Sequence, residues 1–258
     1  MLSYKDGNPI AKEGNEIIYL KKDDDEQPYP DSDSDYDTSD SDDTYSEIDT
    51  NYKLEPLLDM EKRDIAYIAG PSGSGKSTFA IMLIKKFLKV YPEKSFFLFS
   101  RTDYKTDPVF QGMKVYQIMI DQSLLTDPID ITKELSEGCI ILFDDCNTIQ
   151  DDKVKKVVDK LMADIMEVGR KLGIWTIITN HLIIPNEKKV ARTILNEMHS
   201  LTVFPKSGSA QQISYVLKQY FGLDKKQIER IIKLPSRWVM IHKHYPMYVI
   251  HEYGVYLL

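Results

Sequence analysis

"IAYIAGPSGSGKSTFA", residues 65–80, decides the fold. It starts as an apolar run of the kind a buried strand needs, passes through glycines and serines, and ends in a helix-forming pattern. Gly70, Gly75, Lys76 and Ser77 satisfy the spacing G-x-x-x-x-G-K-[ST]. That spacing lets backbone N–H groups from Gly73 to Ser77 converge on a phosphate chain, because glycine permits close approach and positive φ. The following helix, expected over 76–90, adds its unpaired N–H donors and the positive end of its dipole. In this pattern Lys76 reaches the β and γ phosphates and the Ser77 hydroxyl takes Mg2+. Ser72, Ser74 and Thr78 complete the expected phosphate-contacting set.

Working outward, "CIILFDD" (139–145) is an apolar strand whose C-terminal end carries Asp144 and Asp145. Open α/β sheets bind ligands at that edge. Asp144 is assigned to the Mg2+ shell and Asp145 to orienting the attacking water. The next strand, "WTIIT" (175–179), leads into Asn180, a neutral amide suited to sensing a γ-phosphate. His181 beside it reads as an edge residue rather than a ligand. Arg170 lies nine residues after Leu161 on the helix expected over 152–172, and about 100° per residue puts it opposite the apolar face. An exposed arginine there can serve a neighbouring subunit's γ-phosphate, with Arg192 as the competing candidate. Lys153, Lys155 and Lys156, Lys188 and Lys189, and Lys206 follow the strand ends and suit a phosphate backbone.

Further apolar runs at 95–100, 113–118 and 201–204 alternate with helical patterns near 187–197 and over 209–232, and aromatic-rich strands close the chain. This alternation predicts an α/β fold: a mainly parallel central sheet flanked by helices, with a small C-terminal helix and strand extension. The core domain is expected over 51–258. Residues 23–50 hold 13 acidic residues and no Lys or Arg, so the rest of the −7 chain is mildly basic. Residues 21–50 have almost no apolar side chain except Ile48 and are expected to be disordered, within an N-terminal segment 1–50. A solubilising tail is one reading of that segment, a DNA mimic another. "NEIIYLKK" (15–22) is a candidate docking strand. The two cysteines, Cys139 and Cys146, are too far apart along one strand to bond and fit a reducing compartment. No run is long enough to span a membrane, and residues 1–16 lack a signal-peptide core.

"GPSGSGKST", "CIILFDD", "GRKLGIWTIITNH" and "SRWVMIHKHYPMYVIHEYGVYLL" together resemble the poxvirus-type genome-packaging ATPases of large DNA viruses, in the FtsK–HerA group of P-loop NTPases. The resemblance covers roughly residues 52–258. It implies a RecA/FtsK-like fold, ATP with Mg2+, and a homo-oligomeric ring of five or six subunits that pumps double-stranded DNA into a capsid or portal-type shell. The setting it implies is the host cytoplasm or the virion. By position it matches Lys76 and Ser77 to the phosphate and metal residues, Asp144 and Asp145 to the acidic pair, Asn180 to the sensor and Arg170 to the trans-acting arginine. Many relatives place Glu where Asp145 stands. Two alternatives remain beside this reading: a small-molecule kinase, which would need an arginine-rich lid where the chain offers only Arg101, and a nucleotide-dependent scaffold.

Overall fold

The structure is a computed structural model that describes residues 1–21 and 44–258. Strands β1 (Leu2–Ser3), β2 (Asn8–Glu13), β3 (Glu16–Leu20), β4 (Thr44–Tyr45) and β6 (Leu54–Pro56) form a five-stranded antiparallel sheet of order β4-β1-β3-β2-β6. Between them in sequence, β5 (Glu47–Asp49) joins the edge of the main sheet. That sheet also contains β7 (Ile65–Ala69), β8 (Phe96–Ser100), β9 (Tyr116–Met119), β10 (Ile140–Phe143), β11 (Trp175–Asn180), β12 (Ser200–Val203), β13 (Val239–His242), β14 (Tyr248–His251) and β15 (Gly254–Leu257). Its order is β5-β15-β14-β13-β12-β7-β11-β10-β8-β9. The six strands from β12 to β9 are parallel, and the C-terminal strands continue the sheet antiparallel.

The helices are α1 (Lys76–Val90), the single turn α2 (Ile131–Glu134), α3 (Asp152–Val168), α4 (Lys188–Glu197), α5 (Ala210–Phe221) and α6 (Lys225–Lys233). The central strands read as unbroken apolar runs because both their faces are covered. Period-two geometry then divides each strand between two cores. Ile65, Tyr67, Ile141 and Phe143 pack with Val158, Ile165, Ile194, Leu217 and Ile231 of helices α3 to α6. Ala66, Ile68, Ile140 and Leu142 pack with Phe79, Leu83 and Phe87 of α1, and this second core runs on into Leu2, Ile10 and Ile18 of the N-terminal sheet. The small sheet thus roofs α1. The expected docking strand at 15–22 is β3, paired on both sides within that roof.

Two expectations change. Residues 44–49, inside the segment expected to be disordered, form β4 and β5. Ile48 is the reason: it is buried, and β5 pairs with β15 through Ile48 opposite Val255. The acidic stretch 22–43 lies outside the described residues. The helix expected over 152–172 ends at Val168. Gly169 follows as its C-cap, and Arg63 donates from Nε to the Ile174 carbonyl and from one terminal nitrogen to the carbonyls of Ile165 and Met166. The Met166 carbonyl, in the last turn where a helix leaves acceptors unpaired, is satisfied by a side chain about a hundred residues away, while that of Ile165 also accepts the Gly169 N–H. Among the described residues no helix is long and apolar enough to cross a membrane. Both cysteines are buried and free.

Candidate functional site

The glycine loop expected to bind phosphate joins β7 to α1 at the C-terminal edge of the parallel strands. A Cβ at Gly70 would lie 2.7 Å from Phe204 Cδ2 and 2.9 Å from Ser74 Oγ, so only glycine fits there. Gly75 has φ 106°, a conformation that strains any other residue. α1 begins directly after it with no side-chain cap and no acid in its first turn, so its N-terminal donors and positive dipole end face the loop. Ser72 and Thr78 are exposed, Ser77 is half-buried, and the buried Ser74 hydroxyl has no hydrogen-bond partner.

Lys76 is buried at 5% exposure, with Nζ 3.3 Å from the Pro71 carbonyl and 3.8 Å from Asp145 Oδ1. A charge held this deep requires such partners. Asp144 and Asp145 follow β10, two strands from β7 with β11 between. The β11 residue Thr179 ties the acids together. Its hydroxyl donates to Asp144 Oδ1 at 2.7 Å and accepts the Asp145 N–H at 3.0 Å. Burial raises the Asp144 pKa, and the neighbouring Asp145 charge adds to that; the Thr179 bond and the Lys76 charge oppose it. Asp145 has φ 48°, the only non-glycine positive φ among the described residues. Its carbonyl accepts from Thr148 Oγ1 at 2.8 Å and Thr148 N at 3.1 Å, which holds the left-handed turn. Backbone strain of this kind concentrates at functional sites. Asp145 Oδ1 is buried and lacks a hydrogen-bond partner, its nearest charge being Lys76.

At the end of β11 the structure redistributes the expected roles. Asn180 is buried, and its amide nitrogen donates to the Tyr67 hydroxyl at 3.2 Å. The side chain facing Lys76 and Asp145 is His181, with Nε2 3.2 Å from Asp145 Oδ2 and Nδ1 3.4 Å from Lys76 Nζ. His181 is thus an edge residue with partners, and those partners are Lys76 and Asp145. The signal was present: His181 follows the strand lying between the phosphate loop and the acid pair. Arg170 is exposed, in the turn between α3 and β11, at the N-terminal edge of the sheet. The six residues of β11 separate it from the phosphate-loop edge by about 20 Å at 3.3 Å per residue, so it cannot serve its own loop. Arg192 is exposed on α4. Lys153, Lys156, Lys188, Lys189 and Lys206 are exposed near the phosphate-loop edge. Lys155 is not free for a ligand, being paired with Asp159 and Glu187, each at 3.1 Å.

An arginine at the loop had no sequence signal. Arg237, before β13, donates from Nε to the Ser74 carbonyl at 3.3 Å. Elsewhere, an apolar groove of about 770 Å³ lies between α1 and the N-terminal sheet, lined by Ile17, Leu57, Ile81, Met82 and Lys86, away from this cluster. Among the described residues no group of three or more His, Cys, Asp or Glu is arranged to hold a metal by itself.

The mainly parallel sheet, the glycine loop over α1 and the acid pair two strands away define the fold of FtsK-type P-loop ATPases, which bears out the resemblance drawn from the motifs. The crystal structure of B204, the DNA-packaging ATPase from Sulfolobus turreted icosahedral virus, is similar over 74% of this chain and 97% of its own, with TM-score 0.51 and 12% identity. The conjugation coupling protein TcpA of pCW3 is similar over 82% of this chain and 66% of its own, with TM-score 0.51 and 13% identity. The cytoplasmic domain of the type VII secretion ATPase EccC from Thermomonospora curvata gives TM-score 0.52 at 15% identity, over 81% of this chain and 28% of that one. No family model matches the chain. The chain belongs to the same family as the uncharacterized protein V3 of Sputnik virophage, with 41% identity over 202 residues, 78% of this chain and 80% of that protein.

Proposed function

We propose that this chain is an ATP-hydrolysing subunit of a homo-oligomeric ring that translocates double-stranded DNA, packaging a viral genome into a preformed shell. The observation that carries the reading is the convergence of Lys76, Asp144, Asp145 and His181 at the ends of three adjacent strands beside an uncapped helix N-terminus. The viral relative and the FtsK-type fold support the choice of a motor.

The residues fit a magnesium–nucleotide complex. Mg2+ is usually held by one or two protein oxygens together with water and phosphate, and Ser77 and Asp144 are the pair offered here. Bound Mg2+ would offset charge developing on the transferred phosphoryl group. Lys76, now resting on Pro71 and Asp145, would turn to the phosphates. Asp145, aimed by His181 and by its held turn, would orient water and accept its proton. Asn180, through Tyr67, would fix the strand end on which His181 sits. Arg170 would act on the nucleotide of the adjacent subunit, and the exposed lysines at the phosphate-loop edge would track the DNA backbone.

The test is nucleotide turnover with and without duplex DNA. Duplex should stimulate the wild type, while Lys76→Ala and Asp144→Ala should show no turnover. Arg170→Ala should bind ATP yet not hydrolyse it, and should poison mixtures with wild type. Turnover indifferent to both duplex and self-association would refute the motor reading.

A further inference from the structure

Arg237 stands in the short segment between α6 and β13, and that segment is fastened to the phosphate loop's own helix. The Ser236 side chain is buried, and its hydroxyl accepts the Glu252 N–H at 3.1 Å. The Arg237 N–H donates to Glu252 Oε2 at 2.6 Å. Trp238 packs against Phe79 of α1, with ring centroids 5.0 Å apart. The guanidinium is thus delivered to the loop by fixed backbone. Its Nε bonds the Ser74 carbonyl, and one terminal nitrogen lies 3.0 Å from where a Cβ on Gly75 would stand. Glycine at 75 leaves the space that the guanidinium fills.

Among the described residues the charge has no counterpart, and no carboxylate pairs with the Arg237 side chain. The adjacent Glu252 is engaged by the Arg237 backbone, by Ser236 and by Lys53 at 3.5 Å. With no acid in the first turn of α1, the positive dipole end there is also unbalanced. An exposed guanidinium with free terminal donors, beside a phosphate-shaped loop, matches an oxyanion by charge and by fork geometry.

We propose that Arg237 binds the phosphate chain of the nucleotide held in its own subunit, from the outer lip of the loop, opposite Lys76. This rests on the nucleotide-binding reading above and differs from the role given to Arg170, which acts between subunits.

The experiment is calorimetric titration of wild type, Arg237→Ala and Arg237→Lys with ADP and with inorganic tripolyphosphate. Removing a charge-assisted contact of this kind weakens binding by about 10-fold or more. Arg237→Ala should show that loss for both ligands, and Arg237→Lys should recover part of it. The unfolding midpoint without ligand should move little, since the Glu252 bond is to backbone and only the 3.3 Å bond from Nε to the Ser74 carbonyl is lost. An equal mixture of Arg237→Ala with Lys76→Ala, in which no subunit has both an intact loop and Arg237, should show no tight sites. Loss for ADP alone would assign the side chain to the nucleoside, and affinity restored by mixing would assign it to the neighbouring subunit; either overturns the proposal. So does an Arg237→Ala affinity within about twofold of wild type. If wild type binds neither ligand, the nucleotide reading itself fails and takes this one with it.

Discussion

Thr179→Val tests the link between the two acids. The substitution is nearly isosteric and removes one hydroxyl from a fully buried position. That hydroxyl makes two bonds, to the Asp144 carboxylate and from the Asp145 N–H. A bond to an ionised group contributes about 1.5–3 kcal/mol, and a buried N–H left unpaired costs about 1–3 kcal/mol. Asp144 is mostly buried, so little of its share is lost to solvent, and the sum is about 2.5–6 kcal/mol. Set against a total stability of about 5–15 kcal/mol, that loss is easily measured. Urea unfolding should show a lower midpoint with an unchanged slope. Turnover should fall by about tenfold or more, because the turn that aims Asp145 loses a tether. Thr179→Ser keeps the hydroxyl, gives up one methyl worth about 0.8 kcal/mol, and should retain most activity. A Thr179→Val protein within about 0.5 kcal/mol of wild type, with normal turnover, would show that the acids are not coupled through this side chain.

His181→Ala should cut turnover by about tenfold while nucleotide affinity stays within a few fold, as titration and steady-state rates would show; equal rates would return His181 to an edge role. Arg63→Ala removes bonds to three carbonyls, of which Ile165 keeps the Gly169 N–H, and should lower the unfolding free energy by about 2–4 kcal/mol; it should also loosen the turn bearing Arg170, visible as faster hydrogen exchange over 169–174. His242 is held below its ordinary 6.5 chiefly by burial, with the His199 charge adding and Asp64 opposing. The unfolded chain therefore binds a proton that the folded chain refuses, and stability falls as pH drops from about 6.5 toward the lower folded value. His242→Phe should flatten that fall in pH-dependent unfolding without abolishing it, because His244 and His251 are shifted the same way by burial.

Residues 65–80 alone determined the glycine loop, because strand, glycine turn and helix start are all local and each depends on near neighbours. The unbroken apolar runs of β10 and β11 likewise announced strands covered on both faces, and the acids at 144 and 145 fell at a strand end that any parallel sheet turns toward ligand. Only the tertiary structure decided what meets at that edge. Strand order put β11 between β7 and β10, which set His181 against Lys76 and Asp145 and gave Thr179 both acids. Ile48 drew residues 44–49 into the fold through a partner strand two hundred residues away, and α3 ended earlier than its periodicity suggested, at carbonyls that Arg63 binds. Arg237 reached the loop across 160 residues of chain. Local pattern encodes elements through contacts a few residues apart, whereas side-chain meetings of this kind exist only once distant strands are paired.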